Sequence, residues 1–328
     1  MPLLDEVPAD SWDAFLACVP ESNIFQSRAL HQVYEKTTGF RPFVFGSESK
    51  GDMNALVSGA IVSYGPRTLA RFASRALVVG GPIGDELSFP LLLGALDEMA
   101  RKSALLTQIR NLKVPSDRGT FESIGYRWED HLNFIVNLDQ SEESLSRSLS
   151  KGRRKAIEKA DRSGLQLLEV RREQLPSAYE LLEQAYSRAG IPLADRSLFE
   201  NALKYLGPSG HLWVLGAFSS GGLCAVRFVL RWNTALFDWY AGSSDLGRAL
   251  HADEWLVWQL FRKGIAAGSR EFDFGGAGKS VGEYGPGEFK RRFGGEMIVP
   301  GRFVKTYHPL VLRIAGAIYP LWRGRRNA

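Results

Sequence analysis

Cysteine is almost missing from this chain. Cys18 and Cys224 are the only two, each in an apolar setting. They exclude a disulfide framework and a multi-cysteine zinc site and suit the reducing cytoplasm. The five histidines, at 31, 131, 211, 251 and 308, are scattered and supply no metal-ligand spacing. His251, in LHADE at a helix start, caps or packs. No apolar run approaches the roughly 20 residues of a membrane-spanning helix. The acidic start MPLLDEVPADSW lacks the basic and apolar stretches of a secretory signal. Neither a Gly-x-Ser-x-Gly elbow nor a catalytic cysteine signature occurs, so covalent hydrolase chemistry has no support. What remains is a soluble globular composition, 45% hydrophobic and 23% charged, over 328 residues, a length that suits two domains.

Charge is unevenly spread. Residues 147–162 hold seven Lys/Arg against two Asp/Glu, and residues 302–328 hold six Lys/Arg and no acid. The chain total is +5, so the other residues carry a net −6. An acidic body with two basic segments points to anionic partners such as phosphate, nucleic acid or lipid headgroups.

The two halves share an order of elements. In the later half, HLWVLGAFS (211–219), LCAVRFVLR (223–231) and TALFDWYA (234–241) read as strands joined by tight turns. A helix follows at about 250–267, with Leu256, Val257, Leu260, Phe261 and Ile265 at helical spacing. Then come the strand REFDF (270–274), a glycine-rich loop, a short helix around FKRRF (289–293) and a last strand near 296–304. The earlier half repeats this with strands at 41–46, 54–63 and 76–82, a helix at about 88–102, and the stretches LLTQI (105–109), FESIGY (121–126) and HLNFIVNL (131–138). The offset is 170 residues from Gly46 to Gly216 and 168 from Phe121 to Phe289, which marks a duplicated domain and not a solenoid. The expected class is α/β with mixed sheets. Each half is an antiparallel meander followed by strand–helix–strand, with the helix-joined strands parallel. This layout resembles the GNAT acyltransferase fold taken twice in tandem.

The domain reading is 1–141 for the first copy, 142–164 for a basic linker helix and 165–305 for the second copy, which carries the site. Residues 306–328 form a C-terminal amphipathic, basic helix or tail. In that tail, 308–322 are mostly apolar and end in Trp322 and arginines. This suits an interfacial helix on anionic headgroups, contact extending over 308–326, or equally a helix docked on the body.

Chemistry-bearing residues gather in the second copy. Alternation puts Leu236, Asp238 and Tyr240 on one strand face, and Glu271 and Asp273 opposite Phe272 and Phe274 on the next strand. Polar groups at the C-terminal ends of neighbouring parallel strands are where ligands bind in open α/β sheets. Solvated strand ends account for them equally well. The segment 274–295 holds eight glycines and is not a Walker loop, because Asp273 stands where the first glycine would be. Phe289-Lys290 matches Phe121-Glu122 of the first copy in the repeat, so only the second copy has this lysine, beside Arg291 and Arg292. Lys151, Arg153, Arg154, Lys155, Lys159 and Arg162 form either a solvated basic helix or a phosphate contact.

Together, FDWYAGSS (237–244), GRALHADEWLVWQ (247–259), REFDFGG (270–276) and GEFKRRFGG (287–295) resemble the FemABX-like peptidyltransferases. NIFQSRALHQVYEKTTGFRP (23–42) and KGRRKAIEKADRSG (151–164) extend the resemblance over nearly the whole chain. It implies two GNAT-like domains and an N-acyl or aminoacyl transferase acting on an amine of a cell-envelope precursor, of peptidoglycan or polysaccharide type. By position, Lys290 matches a lysine linked to substrate phosphate and transition-state charge, and Tyr240 a tyrosine near the acceptor. Asp238, Asp273 or Tyr240 would position or deprotonate the amine. Phe289, Arg291, Arg248, Arg153, Arg154 and Lys155 would line the substrate and hold its phosphates.

No resident cofactor or metal is implied. The phosphate-bearing donor stays open between aminoacyl-tRNA and acyl-CoA: no coiled-coil arm follows the linker, and residues 244–249 hold one glycine and Asp245 where a CoA pyrophosphate loop wants several glycines. Ala252 also replaces the family's proline. The expected location is cytoplasmic, extending to the inner face of the cell membrane. The alternatives are an acyl-CoA-dependent N-acetyltransferase for a small-molecule or sugar amine, and a non-catalytic GNAT-like binding or scaffold protein.

Overall fold

The structure, a computed structural model, describes residues 2–63, 74–278 and 285–313. It divides into one compact unit of residues 1–130 with 300–328 and a second of residues 131–299. In chain order the first unit contains β1 (Leu3–Leu4), α1 (Ala9–Cys18), α2 (Arg28–Glu35), β2 (Phe40–Ser49), β3 (Asp52–Ser63), β4 (Ser74–Val79), β5 (Ile83–Gly84), α3 (Phe89–Ser103), β6 (Leu106–Arg110), α4 (Gly119–Ser123) and β7 (Arg127–Glu129). The second contains β8 (Asn133–Asn137), α5 (Glu142–Ser148), α6 (Lys151–Asp161), β9 (Gln166–Glu169), α7 (Leu175–Ala189), α8 (Arg196–Leu206), β10 (Leu212–Ser219), β11 (Gly222–Trp232), β12 (Ala235–Ser243), α9 (Asp245–Ala249), α10 (Ala252–Ala266), β13 (Glu271–Asp273), α11 (Gly285–Arg291) and β14 (Glu296–Ile298). β15 (Arg302–Thr306) returns to the first unit.

Local chemistry sets many of these ends. Lys50 and Gly51 take positive φ at the β2–β3 hairpin, as a two-residue turn requires. Ser27 and Ser141 cap α2 and α5 through their side chains. Gly190, at φ 68°, ends α7 in the left-handed conformation.

Among the described residues each unit has one mixed sheet. The first runs β1-β2-β3-β4-β6-β15-β7, with β5 also on β3; the second runs β14-β8-β13-β12-β11-β10-β9. The parallel pairs are β4–β6 and β12–β13, each joined through a long helix. The meander, crossover and parallel pair expected from the repeat are therefore present in both units.

The core of the first unit packs Leu92, Leu93, Leu96 and Ala100 of α3 against Val57, Val78, Ile109, Phe121 and Phe303. A buried polar knot sits beside it. Asp97 accepts from Tyr126 at 2.7 Å and Tyr307 at 2.5 Å and pairs with Lys305. In the second unit, Leu256, Val257, Leu260 and Phe261 of α10 pack on Phe272, Phe274 and Phe293.

The boundaries differ from the sequence reading. β8, by sequence the end of the first copy, pairs with β13 and β14 in the second sheet. The stretch 296–304, one strand by sequence, is split by Pro300-Gly301: β14 stays in the second sheet, and β15 inserts between β6 and β7 in the first. β8 and β15 lie 169 residues apart at both ends, so the repeated final strand of each copy is built into the other unit's sheet. Segment 142–164 is not a linker either. It forms α5 and α6, whose Leu145, Leu149, Ile157 and Ala160 belong to the second core. Of the C-terminal tail, residues 309–313 begin a helix. The rest of the expected amphipathic segment lies outside the described residues. Among the described residues no helix is long and apolar enough to cross a membrane.

Candidate active site

The site forms where the β12–β13 ladder stops. These strands pair over three positions, ending at Phe237↔Asp273, while β12 runs on to Ser243. The matching β4–β6 pair in the first unit holds for five positions, up to Val79↔Arg110 at the end of β4. Only the second unit's parallel pair therefore parts early.

A bulge in β12 re-aims its side chains. Val229 of β11 faces Asp238, but its neighbour Phe228 faces Tyr240, so Trp239 is the extra residue. Asp238 thereby shares the α10 side of the sheet with Arg227. Tyr240 turns to the α7–α8 side, 4.8 Å from the ring of Phe199 and 5.6 Å from that of Tyr186. The expected common face for Asp238 and Tyr240 is thus corrected: strict alternation fails across a bulge.

On the α10 side lies a buried charge group. Arg227 is 3% exposed; its Nη1 pairs with Asp238 Oδ2 and its Nη2 donates to Asp253 Oδ1 at 2.7 Å. Burial alone would lower the guanidinium's proton affinity, but the two carboxylates more than offset it and hold it above the ordinary arginine value. Burial raises Asp238 above the usual carboxylate range, opposed by Arg227 and Lys290. Its second oxygen, Oδ1, is buried without a hydrogen-bond partner among the described residues.

Lys290 comes from α11 and closes the parted end. Its Nζ donates to the carbonyls of Phe274, Gly275 and Gly276 at 2.6, 3.0 and 3.0 Å. Burial lowers it to about 8, against the pull of Asp238 and Asp273. Asp273 is buried and accepts from Asn133 at 2.7 Å and from the Gly275 amide at 2.6 Å. Burial pushes it up to about 6 despite those hydrogen bonds. The ammonium thus sits at the parted strand ends with both aspartates, all on main-chain and side-chain partners of one unit. Gly275, at φ 67°, lets this turn form, and a Cβ there would lie 3.4 Å from the Asp238 carbonyl oxygen.

The basic residues disperse. Arg153 is 5% exposed; its Nη1 pairs with Glu254 at 2.9 Å and its Nη2 donates to the Phe289 carbonyl at 3.0 Å. Its guanidinium carbon lies 4.4 Å from both the Phe289 and the Phe293 ring centroids. With both ends of its fork engaged, Arg153 belongs to the packing between helices and not to the exposed basic face, which corrects the expected phosphate contact. Phe289 is likewise part of this packing. Arg154 is half-buried and donates to the Ser146 carbonyl at 3.4 Å, whereas Lys155 is exposed. Arg248 is exposed and pairs with Asp245 at 2.8 Å. Arg291 pairs with Glu288 at 2.7 Å on the surface.

Arg227, Asp253, Glu254 and Asn133 are the site residues that sequence reasoning missed. Arg227 left a trace: a charge at the centre of the apolar strand LCAVRFVLR needs a buried partner. Asp253 and Glu254 carry no such signal, since acids are ordinary in a helix's first turn. Among the described residues no three His, Cys, Asp or Glu side chains gather as metal ligands. Chemically, the arrangement offers a cation of reduced proton affinity beside a carboxylate with a free oxygen.

Residues 146–291 match the family model described as an acetyltransferase (GNAT) domain. None of the curated proteins compared with the chain matches it in sequence. Among solved structures, FemX is similar at 15% identity over 96% of this chain and 99% of that one, with a TM-score of 0.70. L-PGS from Bacillus licheniformis is similar at 18% identity over 96% of each chain, with a TM-score of 0.60. A tandem GNAT protein from the clavulanic acid biosynthesis pathway is similar at 11% identity over 91% of this chain and 93% of that one, with a TM-score of 0.56. Residues 146–291, which carry Arg227, Asp238, Asp253, Asp273 and Lys290, are thus an acyltransferase domain of the GNAT type, in a chain with a FemX-like, tandem-GNAT fold.

Proposed function

We propose that this protein transfers an acyl or aminoacyl group from an activated ester or thioester to an amine of a cell-envelope precursor. The observation that carries this reading is Lys290 lodged at the parted ends of β12 and β13 beside Asp238, whose Oδ1 has no partner among the described residues. The acceptor amine attacks the donor carbonyl carbon. A C–N bond forms, the C–O or C–S bond breaks, the amine's proton passes to Asp238 Oδ1, and the leaving oxygen or sulfur is protonated in turn. Lys290 offsets the oxyanion by giving up one of its three carbonyls, and stabilisation of this kind is usually the largest catalytic term. The match to a GNAT family model supports acyl transfer, and the FemX-like fold with the sequence resemblance supports an envelope acceptor.

The donor is either an aminoacyl-tRNA ester or an acyl-CoA thioester. Of the basic candidates, Lys155, Arg248 and Arg291 are exposed enough to meet its phosphate. The reading includes a cytoplasmic site of action, with the segment 308–326 touching the inner membrane face.

Thermal unfolding of the full chain tests it. Acyl-CoA, an aminoacylated tRNA or a lipid-linked muropeptide should each be tried, and at least one should raise the melting temperature and then be turned over. Acyl-CoA alone would point to an N-acetyltransferase for a smaller amine, the reading the family description favours. Stabilisation without turnover by any amine acceptor would sink the enzyme in favour of a binding protein.

A further inference from the structure

We propose that Arg153 is a positioning residue for Lys290: wedged between α6, α10 and α11, it fixes the helix turn on which the lysine rides. The inference rests on the role given above to Lys290. Arg153 lies in the most basic stretch of the chain, yet it is 5% exposed and turned inward. One end of its fork holds Glu254 on α10 at 2.9 Å. Its other contacts are with the residues flanking the lysine. Nη2 donates to the carbonyl of Phe289, the residue just before, and the guanidinium stacks 4.4 Å from the rings of Phe289 and of Phe293, three residues after.

These contacts supply what a short helix lacks. α11 spans Gly285–Arg291, and the carbonyl of Phe289 falls in its last turn, where carbonyls have no partner within the helix. Arg153 satisfies that oxygen from one side. From the other side Lys290 spans to the carbonyls of 274–276. The amide of Ser150, the residue that caps α6, also donates to the Arg292 carbonyl at 3.0 Å. The start of α6 therefore holds α11 at Phe289 and the chain just past it at Arg292, and Glu254 anchors the grip to α10. Only a planar fork serves an ion pair, a carbonyl and two ring faces together; a lysine ammonium keeps the ion pair and loses the stacking and the second bond.

The test reads Lys290 directly and needs no substrate. In the full chain labelled with 13C and 15N lysine, the Lys290 Nζ resonance is identified by its loss in Lys290→Gln. In the native protein we expect slow proton exchange, from three carbonyl bonds, and a titration midpoint near 8. In Arg153→Met the exchange should quicken at least tenfold and the midpoint move toward the ordinary lysine value. Arg153→Lys keeps the pair with Glu254, so it should recover most of the melting temperature without recovering Lys290 protection; if Arg153→Met does not fold, this variant alone decides. A native Lys290 signal in a folded Arg153→Lys chain, or protection that simply follows melting temperature across the variants, would overturn the proposal. Should a Lys290→Met chain still transfer acyl groups, the functional reading fails while the exchange result stands.

Discussion

Asp253 and Glu254, neighbours on α10, each hold a different buried arginine: Asp253 takes Arg227 of β11 at 2.7 Å, and Glu254 takes Arg153 of α6 at 2.9 Å. One helix turn thereby ties the sheet that carries Asp238 to the helix that lies against α11. Both acids sit in the first turn of α10, where the helix dipole favours negative charge.

Removing Arg227 leaves the buried Asp238 and the partly buried Asp253 without their shared partner. Arg227→Met should lower unfolding stability by about 3–5 kcal/mol, the usual result of breaking a buried ion pair from one side. Asp253→Asn should have a smaller effect, since Asp238 stays paired. Urea unfolding of the three proteins gives the order; equal loss in both variants would contradict the central place of Arg227.

Lys290→Met should cut transfer by about 10²-fold or more, as loss of an oxyanion donor does. The three carbonyls it serves lose their donor, so stability should also fall, by about 1–3 kcal/mol, with unfolding still cooperative. Single-turnover rates beside denaturant curves separate the two effects. A rate within twofold of the native one would place the lysine in structure alone.

Asp273 makes the pH dependence run against the common pattern for aspartate. Its folded value, about 6, lies above the ordinary aspartate value of 3.8, so between these values the folded chain binds more protons than the unfolded. Its contribution to stability therefore falls as pH rises from about 4 to about 6. The native chain should lose stability over that interval relative to Asp273→Asn. Lys290, lowered to about 8, acts in the mirrored sense: its contribution recovers as pH rises from about 8 toward the ordinary lysine value. Parallel urea midpoints from pH 4 to pH 7 decide the aspartate case, and identical slopes in both proteins would refute it.

Within α6, neighbours should behave differently. Lys155→Ala, at an exposed position, should change stability by no more than about 0.5 kcal/mol. Arg153→Ala strands Glu254 and opens space between two phenyl rings, and should lose about 3–5 kcal/mol. Thermal denaturation of the pair is enough to check this.

Periodicity carried the elements a long way. Strands 212–219, 222–232 and 235–243 and the apolar stripe of α10 follow from alternation and helical spacing alone. What could not be read was any place where one residue changes the count. The extra Trp239 turned Tyr240 away from Asp238, and no residue type announces a bulge. Arg153 looked like one more solvated base in a charged run, because its partners, Glu254 and two phenylalanines, lie more than 100 residues further along the sequence. The offset of the repeat hinted at matching final strands but not at which sheet each would join.

The placement of β15 sets an order of assembly. It lies between β6 and β7, so a ribosome must deliver residue 306 before the earlier sheet has its inner strand. Every strand of the later sheet, β8 to β14, has been synthesised by residue 298. Although nascent domains generally mature from the N-terminus onward, here the half made second is the first that has all its pieces, and the half made first waits with β6 and β7 unjoined.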